Sequence, residues 1–275
     1  MILDVEIEKQ YIPSLTTGDA SRVFSFWKQQ AAVTQKRLKH VADIPYGAHT
    51  REVMDFYPAE NAKGCVVFIH GGYWQSFSKF ETSWVADGFV DQGLSVALLN
   101  YPLCPEVKIA DIRASCAKAF VQLYTKVLNA AERQAVLVTG HSAGGYLAAA
   151  YLTEDWAARG LPANPIKAVI SLSGVFDVSP LMQTSLNKAL RLDEAQSSAL
   201  NLIATKPRCT AALALAVGEK ETSEFHRQSA DLAKSWASLR PQVLDVAGVN
   251  HFTLVDSLAD KGEVLNRLAV EMAGG

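Results

Sequence analysis

AVLVTGHSAGGYLAAA, residues 135–150, decides how this chain is read. The apolar run 135–138 leads into Gly140-His141-Ser142-Ala143-Gly144, and an apolar helical stretch follows at once. A G-x-S-x-G spacing between a strand and a helix forces the central serine into a strained turn, and the flanking glycines let the main chain bend without side-chain collision. Strain of this kind costs about 1–3 kcal/mol and persists only where the surrounding fold enforces it. The helix beginning at Ser142 also points the positive end of its dipole at any negative charge developing there. Ser142 is therefore the candidate nucleophile.

Working outward, short apolar runs recur at 65–69, 95–99, 168–172, 211–217 and 243–246. Continuous apolar runs, as opposed to alternating ones, characterise strands covered on both faces, and intervening helices make right-handed parallel crossovers. Ala117, Phe120, Val121, Tyr124 and Leu128 form one apolar helical face, and residues 146–158 another. The expected fold class is α/β, a mostly parallel doubly wound sheet flanked by helices, in a single domain over 1–275. Ahead of it, residues 19–39 read as a helix with Val23, Phe24, Phe26, Trp27 and Ala31 along one side and Asp19 as its cap. Residues 1–40 are thus a helical extension and a lid candidate. Residues 49–57 read as an extended segment ended by Pro58.

The 275 residues are 49% apolar and 20% charged, enough to bury a large core. With 26 basic and 28 acidic side chains the net charge is −2, which leaves no electrostatic footprint for nucleic acid. Cys65, Cys104, Cys116 and Cys209 show neither CxxC spacing nor a disulfide framework, and read as buried apolar residues in a reducing compartment. No basic head and apolar run mark a signal peptide in MILDVEIEKQ, and no apolar run approaches the ~20 residues of a membrane span. The expectation is a cytoplasmic protein acting on a small molecule, without membrane or nucleic-acid partner and without cofactor. A homodimer is left open.

The run 65–69 ends in His70-Gly71-Gly72-Tyr73-Trp74. Attack by Ser142 on a carbonyl needs backbone N–H groups aimed at the oxyanion, and glycines after a strand let the main chain approach a substrate closely. The candidate hole comprises Gly71, Gly72, Tyr73 and Ala143, with the N–H groups of Gly72, Tyr73 and Ala143 as donors. A general base belongs after the last strand, because such folds order the triad as serine, acid, histidine. His251, in Gly248-Val249-Asn250-His251-Phe252, stands there. The acid should follow 211–217, where Glu219, Glu221 and Glu224 all occur, and spacing alone does not choose among them. Glu221 sits on the loop adjacent to the base, whereas Asp245 lies within the base's own strand.

At these residues the chain resembles the kynurenine formamidase (arylformamidase) group of the α/β-hydrolase superfamily. The likeness rests on HGGYWQS at 70–76, GHSAG at 140–144, SGVFD at 173–177, SEFHRQS at 223–229 and His251-Phe252. Weaker echoes are Pro45-Tyr46-Gly47 with Asp55-Phe56-Tyr57-Pro58, and Leu190-Arg191-Leu192-Asp193. It extends over about residues 40 to 270 and implies an α/β-hydrolase fold. In that group the acid stands three residues before Glu-Phe-His-Arg-Gln-Ser, which implies Glu221 here, although aspartate is usual at that position. The resemblance further implies a cofactor-free serine hydrolase removing a formyl group from an aryl amide such as N-formylkynurenine. A carboxylesterase of small acyl esters is the alternative, and a non-catalytic ligand-binding protein on the same fold a more distant one. Tyr73, Trp74 and Phe176 are the candidate aromatic walls for the substrate.

Overall fold

A computed structural model describes residues 4–18 and 20–274. Its centre is an eight-stranded sheet: β1 (Val41–Pro45), β2 (Val53–Tyr57), β3 (Gly64–Ile69), β4 (Leu94–Leu99), β5 (Val136–His141), β6 (Ala168–Leu172), β7 (Ala212–Gly218) and β8 (Gln242–Val246). The order is β1-β2-β4-β3-β5-β6-β7-β8. Strands β3 to β8 are mutually parallel, and β1 and β2 join antiparallel beside β4. The six apolar runs are the six parallel strands. Strand β1 is a finding the sequence did not predict: it is a mostly exposed edge strand with a bulge, so no buried apolar face records it.

Nine α-helices flank the sheet: α1 (Val5–Tyr11), α2 (Ala20–Arg37), α3 (Ile109–Gln122), α4 (Ala143–Ala150), α5 (Asn187–Leu190), α6 (Glu194–Leu200), α7 (Ser223–Ser235), α8 (Leu254–Ala259) and α9 (Val264–Met272), counted among the described residues. Alternate residues of β3 show why both faces need cover. Cys65, Val67 and Ile69 join one buried cluster with Ile112 and Phe120 of α3 and Leu147 of α4, whereas Val66 and Phe68 join another with Trp27 of α2, Leu258 of α8 and Leu265 of α9. All four cysteines are buried free thiols.

Helix boundaries differ from the sequence expectation in two places. The helical stretch expected over 146–158 is α4 followed by separate short 3₁₀ turns at Tyr151–Thr153 and Ala157–Arg159. The apolar face that reaches Leu128 continues past α3 as a π-helical turn, Leu123–Val127. Helix α2 matches the expected N-terminal helix, and its proposed cap, Asp19, lies outside the described residues. Helix α1 lies within the 1–40 helical extension, for which the sequence marks a specific helix only over 19–39. Among the described residues no helix is long and apolar enough to cross a membrane.

Candidate active site

Strand β5 delivers His141 and Ser142 directly to the first turn of α4. Ser142 holds φ 57° and ψ −118°, the strained turn anticipated for a nucleophile, and its N–H donates to the Leu172 carbonyl at 2.7 Å. Helix and strand meet there because residue 144 has no side chain: a Cβ on Gly144 would sit 2.0 Å from the Ile69 carbonyl oxygen. Thus the glycine brings β3 against the elbow, and with β3 comes the loop that follows it.

That loop carries successive positive φ angles, 98° at Gly72, 48° at Tyr73 and 56° at Trp74. Successive left-handed residues turn their N–H groups to one side and make a concavity that suits an anion. Among the described residues no protein acceptor takes the N–H groups of Gly72, Tyr73 or Ala143. Gly71 lines the same cleft, while its carbonyl accepts from His70 Nδ1 at 2.8 Å and from the Tyr101 hydroxyl at 3.2 Å. At Gly72 a Cβ would lie 2.3 Å from the Ser76 carbonyl oxygen, on a φ that L-residues avoid. Gly72→Ala is expected to lower stability by about 2 kcal/mol or more and to reduce activity, as read by thermal melting and initial rates. A variant with wild-type melting and rate would show that the loop tolerates another path.

His251 lies between β8 and α8, in a turn that Asn250 organises by accepting the N–H groups of Phe252 and Thr253 at 3.0 and 3.1 Å. Its Nδ1 is 2.6 Å from Glu221 Oε2, with both side chains almost fully buried. A carboxylate only accepts, so Nδ1 carries the proton and Nε2 is left as the basic atom. Phe225 of α7 packs its ring 4.6 Å from the imidazole, and His141 Nε2 donates to the His251 carbonyl at 2.7 Å. Two other buried histidines are held neutral. Burial lowers His70 to about 3. Burial and then the nearby His251 hold His141 well below the ordinary range.

The three glutamates after β7 separate cleanly in space. Glu221 Oε1 accepts from the Gly218 N–H at 2.7 Å and the Ser173 hydroxyl at 2.5 Å, while Oε2 faces His251. Glu219 accepts from the Gly248 N–H at 2.7 Å, and Glu224 is bound by Arg227 at 2.7 Å and by the Tyr11 hydroxyl. Asp245 is largely exposed, 3.9 Å from His226. Ser173 was not singled out as a site residue from the sequence; it lies in the SGVFD stretch, just past β6.

Ser142 and His251 line one cleft of about 380 Å³ together with Gly71, Gly72 and Tyr73. Two of the expected aromatic walls are not part of it. Trp74 is fully buried and stands edge-on to Tyr146 at 5.3 Å, because the positive φ at Tyr73 and Trp74 turns these neighbours apart. Phe176 is likewise buried in the core, its N–H held by Gln228 Oε1 at 2.8 Å. The aromatic wall comes instead from Phe24 and Trp27 of α2, Phe77 and Phe252. Phe24 contacts Phe77 at 4.9 Å and Phe252 at 5.2 Å, both edge to face. Helical spacing revealed most of the apolar side of α2, with Phe26 pointing instead to solvent, but not the surface it would cover. A larger, more open groove of about 580 Å³, lined by Gln10, Ser179 and Glu224, contains neither Ser142 nor His251.

Comparison with known proteins agrees with this architecture. The chain is 28% identical to the kynurenine formamidase of Danio rerio over 98% of its own length and 96% of that protein. It is 27% identical to the kynurenine formamidase of Salmo salar over the same shares. Among solved structures, a candidate thioesterase from Silicibacter sp. superposes with a TM-score of 0.87 at 28% identity, covering 97% of this chain and 99% of the other. Esterase B from Lactobacillus rhamnosis shares the fold, with a TM-score of 0.67 at 18% identity over 92% and 94% of the two chains. A family model described as an alpha/beta hydrolase fold matches residues 66–267, from within β3 to within α9. The chain belongs to the alpha/beta hydrolase family and is, within it, a hydrolase similar to the kynurenine formamidases.

Proposed function

We propose that this hydrolase removes a small acyl group, formyl by its likeness to the kynurenine formamidases, from an aryl amide such as N-formylkynurenine. The observation that carries the reading is the buried 2.6 Å contact of Glu221 with His251, at the cleft that Ser142 also lines. Ser142 Oγ attacks the formyl carbonyl while His251 Nε2 takes its proton. The oxyanion meets the N–H groups of Gly72, Tyr73 and Ala143. The C–N bond then breaks, His251 returns the proton to the departing aryl amine, and the formyl group remains as an ester on Ser142. Water activated by His251 cleaves that ester and releases formate. Glu221 stays ionised throughout, orienting the ring and stabilising its cation.

A second reading is favoured by one feature of the cleft. Among its described lining residues there is no arginine, lysine, aspartate or glutamate, and the polar side chains besides the histidines and Ser142 are Ser14, Gln75, Ser76, Thr82 and the Tyr73 phenol. An uncharged lining suits a neutral aromatic body, so a carboxylesterase acting on small acyl esters is the rival reading. A matched panel of N-formylkynurenine, formyl and acetyl anilides and p-nitrophenyl esters separates the two. The formamidase reading expects formyl anilides to exceed acetyl anilides in kcat/KM by ~10–200-fold, the range available when one methyl must fit. Preference for butyryl or longer esters, with N-formylkynurenine untouched, would establish the esterase instead.

A further inference from the structure

Tyr11, the last residue of α1, is buried and tied to both sides of the site. Its main-chain carbonyl accepts from the Tyr73 hydroxyl, on the candidate oxyanion loop. Its own hydroxyl donates to Glu224 and accepts from Gln228 Nε2 at 2.9 Å, both on α7. One residue earlier, the Gln10 carbonyl accepts from the Thr222 hydroxyl at 2.6 Å, and Thr222 follows Glu221 directly. One residue later, Ile12 and then Pro13 enter the wall of the cleft. The N-terminal segment therefore bridges the loop after β3 and the loop after β7, which the sheet itself keeps three strands apart.

A bridge of this kind answers a mechanical need. The loop from Gly72 to Phe77 has φ between 48° and 98° at four positions, and strained turns last only where their neighbours over-determine them. Trp74 is anchored through its carbonyl, which accepts from the Cys104 N–H at 2.8 Å, and Phe77 through its own, which accepts from Arg51 at 2.6 Å. The tie on the Tyr73 side chain runs to Tyr11. The Tyr73 N–H, like those of Gly72 and Ala143, has no protein acceptor among the described residues, so no hydrogen bond of its own fixes its aim and the tie on the side chain helps to set it.

The geometry points to Tyr11 as a positioning residue, a clasp by which the N-terminal segment holds the Tyr73 N–H toward the reacting oxygen and keeps α7 beside it. This rests on the proposed oxyanion role of that loop. Tyr73→Phe removes only the hydroxyl and keeps the ring and the N–H. Tyr11→Phe keeps the carbonyl and removes the ties to Glu224 and Gln228.

The experiment measures kcat, KM, the inhibition constant of phenylboronic acid, which forms a tetrahedral adduct on a nucleophilic serine, and thermal melting for both full-length variants and their double. Tyr73→Phe is expected to lower kcat by ~10–100-fold at nearly unchanged KM, since a displacement on the order of 1 Å at a reacting group has effects of that size. Boronate affinity should fall in parallel, because the analogue shares the tetrahedral geometry. Tyr11→Phe is expected to lower kcat by roughly 3–10-fold, and the double variant to lose less than the product of the two, as coupled residues do. A Tyr73→Phe enzyme with wild-type kcat, a loss of kcat without loss of boronate affinity, or strictly multiplicative effects would each overturn the clasp. If Tyr73→Phe does not melt cooperatively, Tyr11→Phe alone decides by the same kcat and boronate readings. Ser142→Ala separates the levels: retained activity in that variant removes the serine mechanism, whereas an essential serine with an unaffected Tyr73→Phe enzyme removes only the clasp.

Discussion

Ser142→Ala is expected to leave the protein folded and to lower kcat by ~10⁵-fold or more, because members of a triad act as a unit and loss of the nucleophile removes covalent catalysis altogether. The backbone supports this as a clean test. The strained φ of 57° is enforced from outside the residue, by the Ser142 N–H bond to Leu172 and by the seating of Gly144 against Ile69. The serine hydroxyl accepts no cap hydrogen bond from the first turn of α4, so its removal leaves the helix start intact. Alanine adds no atom, and the free N–H of Ala143 remains in place. Binding and oxyanion stabilisation should therefore survive in the variant, visible as a KM or inhibitor affinity close to wild type. A purified variant retaining a tenth of wild-type activity would refute the assignment. A fluorophosphonate probe should label the wild-type enzyme at Ser142 and leave the variant unmodified.

Glu221→Gln should lower kcat by ~10³-fold or more, through loss of the imidazolium's partner and of the tautomer it enforces. The surroundings explain why no rotation of the amide rescues the variant. Three donors converge on this carboxylate: His251 Nδ1–H on one oxygen, and the Gly218 N–H and Ser173 hydroxyl on the other. An amide offers one accepting oxygen, so its NH₂ must face either the Gly218 N–H, donor against donor in a buried site, or the imidazole, where Nδ1 must become the acceptor and Nε2 carries the proton and can no longer act as base. Glu221→Asp keeps the charge but withdraws it by one methylene, and is expected to retain more activity than Glu221→Gln. Equivalent amide substitutions at Glu219 or Glu224, or Asp245→Asn, should change kcat by less than about tenfold, because their carboxylates face Gly248, Arg227 and solvent respectively, not the imidazole. A large loss at one of those positions with a mild one at Glu221 would transfer the role.

The parts of this site that the amino-acid sequence revealed are those encoded over short distances. An elbow needs a strand, a glycine-flanked serine and a helix within a dozen residues, and residues 135–150 contain all three. Five of the parallel strands, β3 to β7, announce themselves as apolar runs because they are covered on both faces, whereas β8, at the other edge, keeps a short apolar run though it is largely exposed. His251 could be placed by chain order alone, since the base must follow the last strand. The exposed edge strand β1 escaped notice for the opposite reason, having no buried face to write into the sequence.

What the tertiary structure decided concerns residues brought together from far apart. Spacing left Glu219, Glu221 and Glu224 equivalent; the resemblance pointed to Glu221, and three-dimensional packing sets its carboxylate against Ser173, Gly218 and His251. The aromatic wall draws on α2, the loop after β3 and the turn after β8, and no local pattern can record which distant apolar faces will meet. Adjacent residues Tyr73 and Trp74 look alike in composition, yet two positive φ angles send one to the cleft and the other into the core. Turn and strand signals depend on a residue and its immediate neighbours, whereas a site wall depends on how whole layers pack. The N-terminal segment belongs wholly to the second kind, since Tyr11 acquires its partners only when the chain has closed on itself.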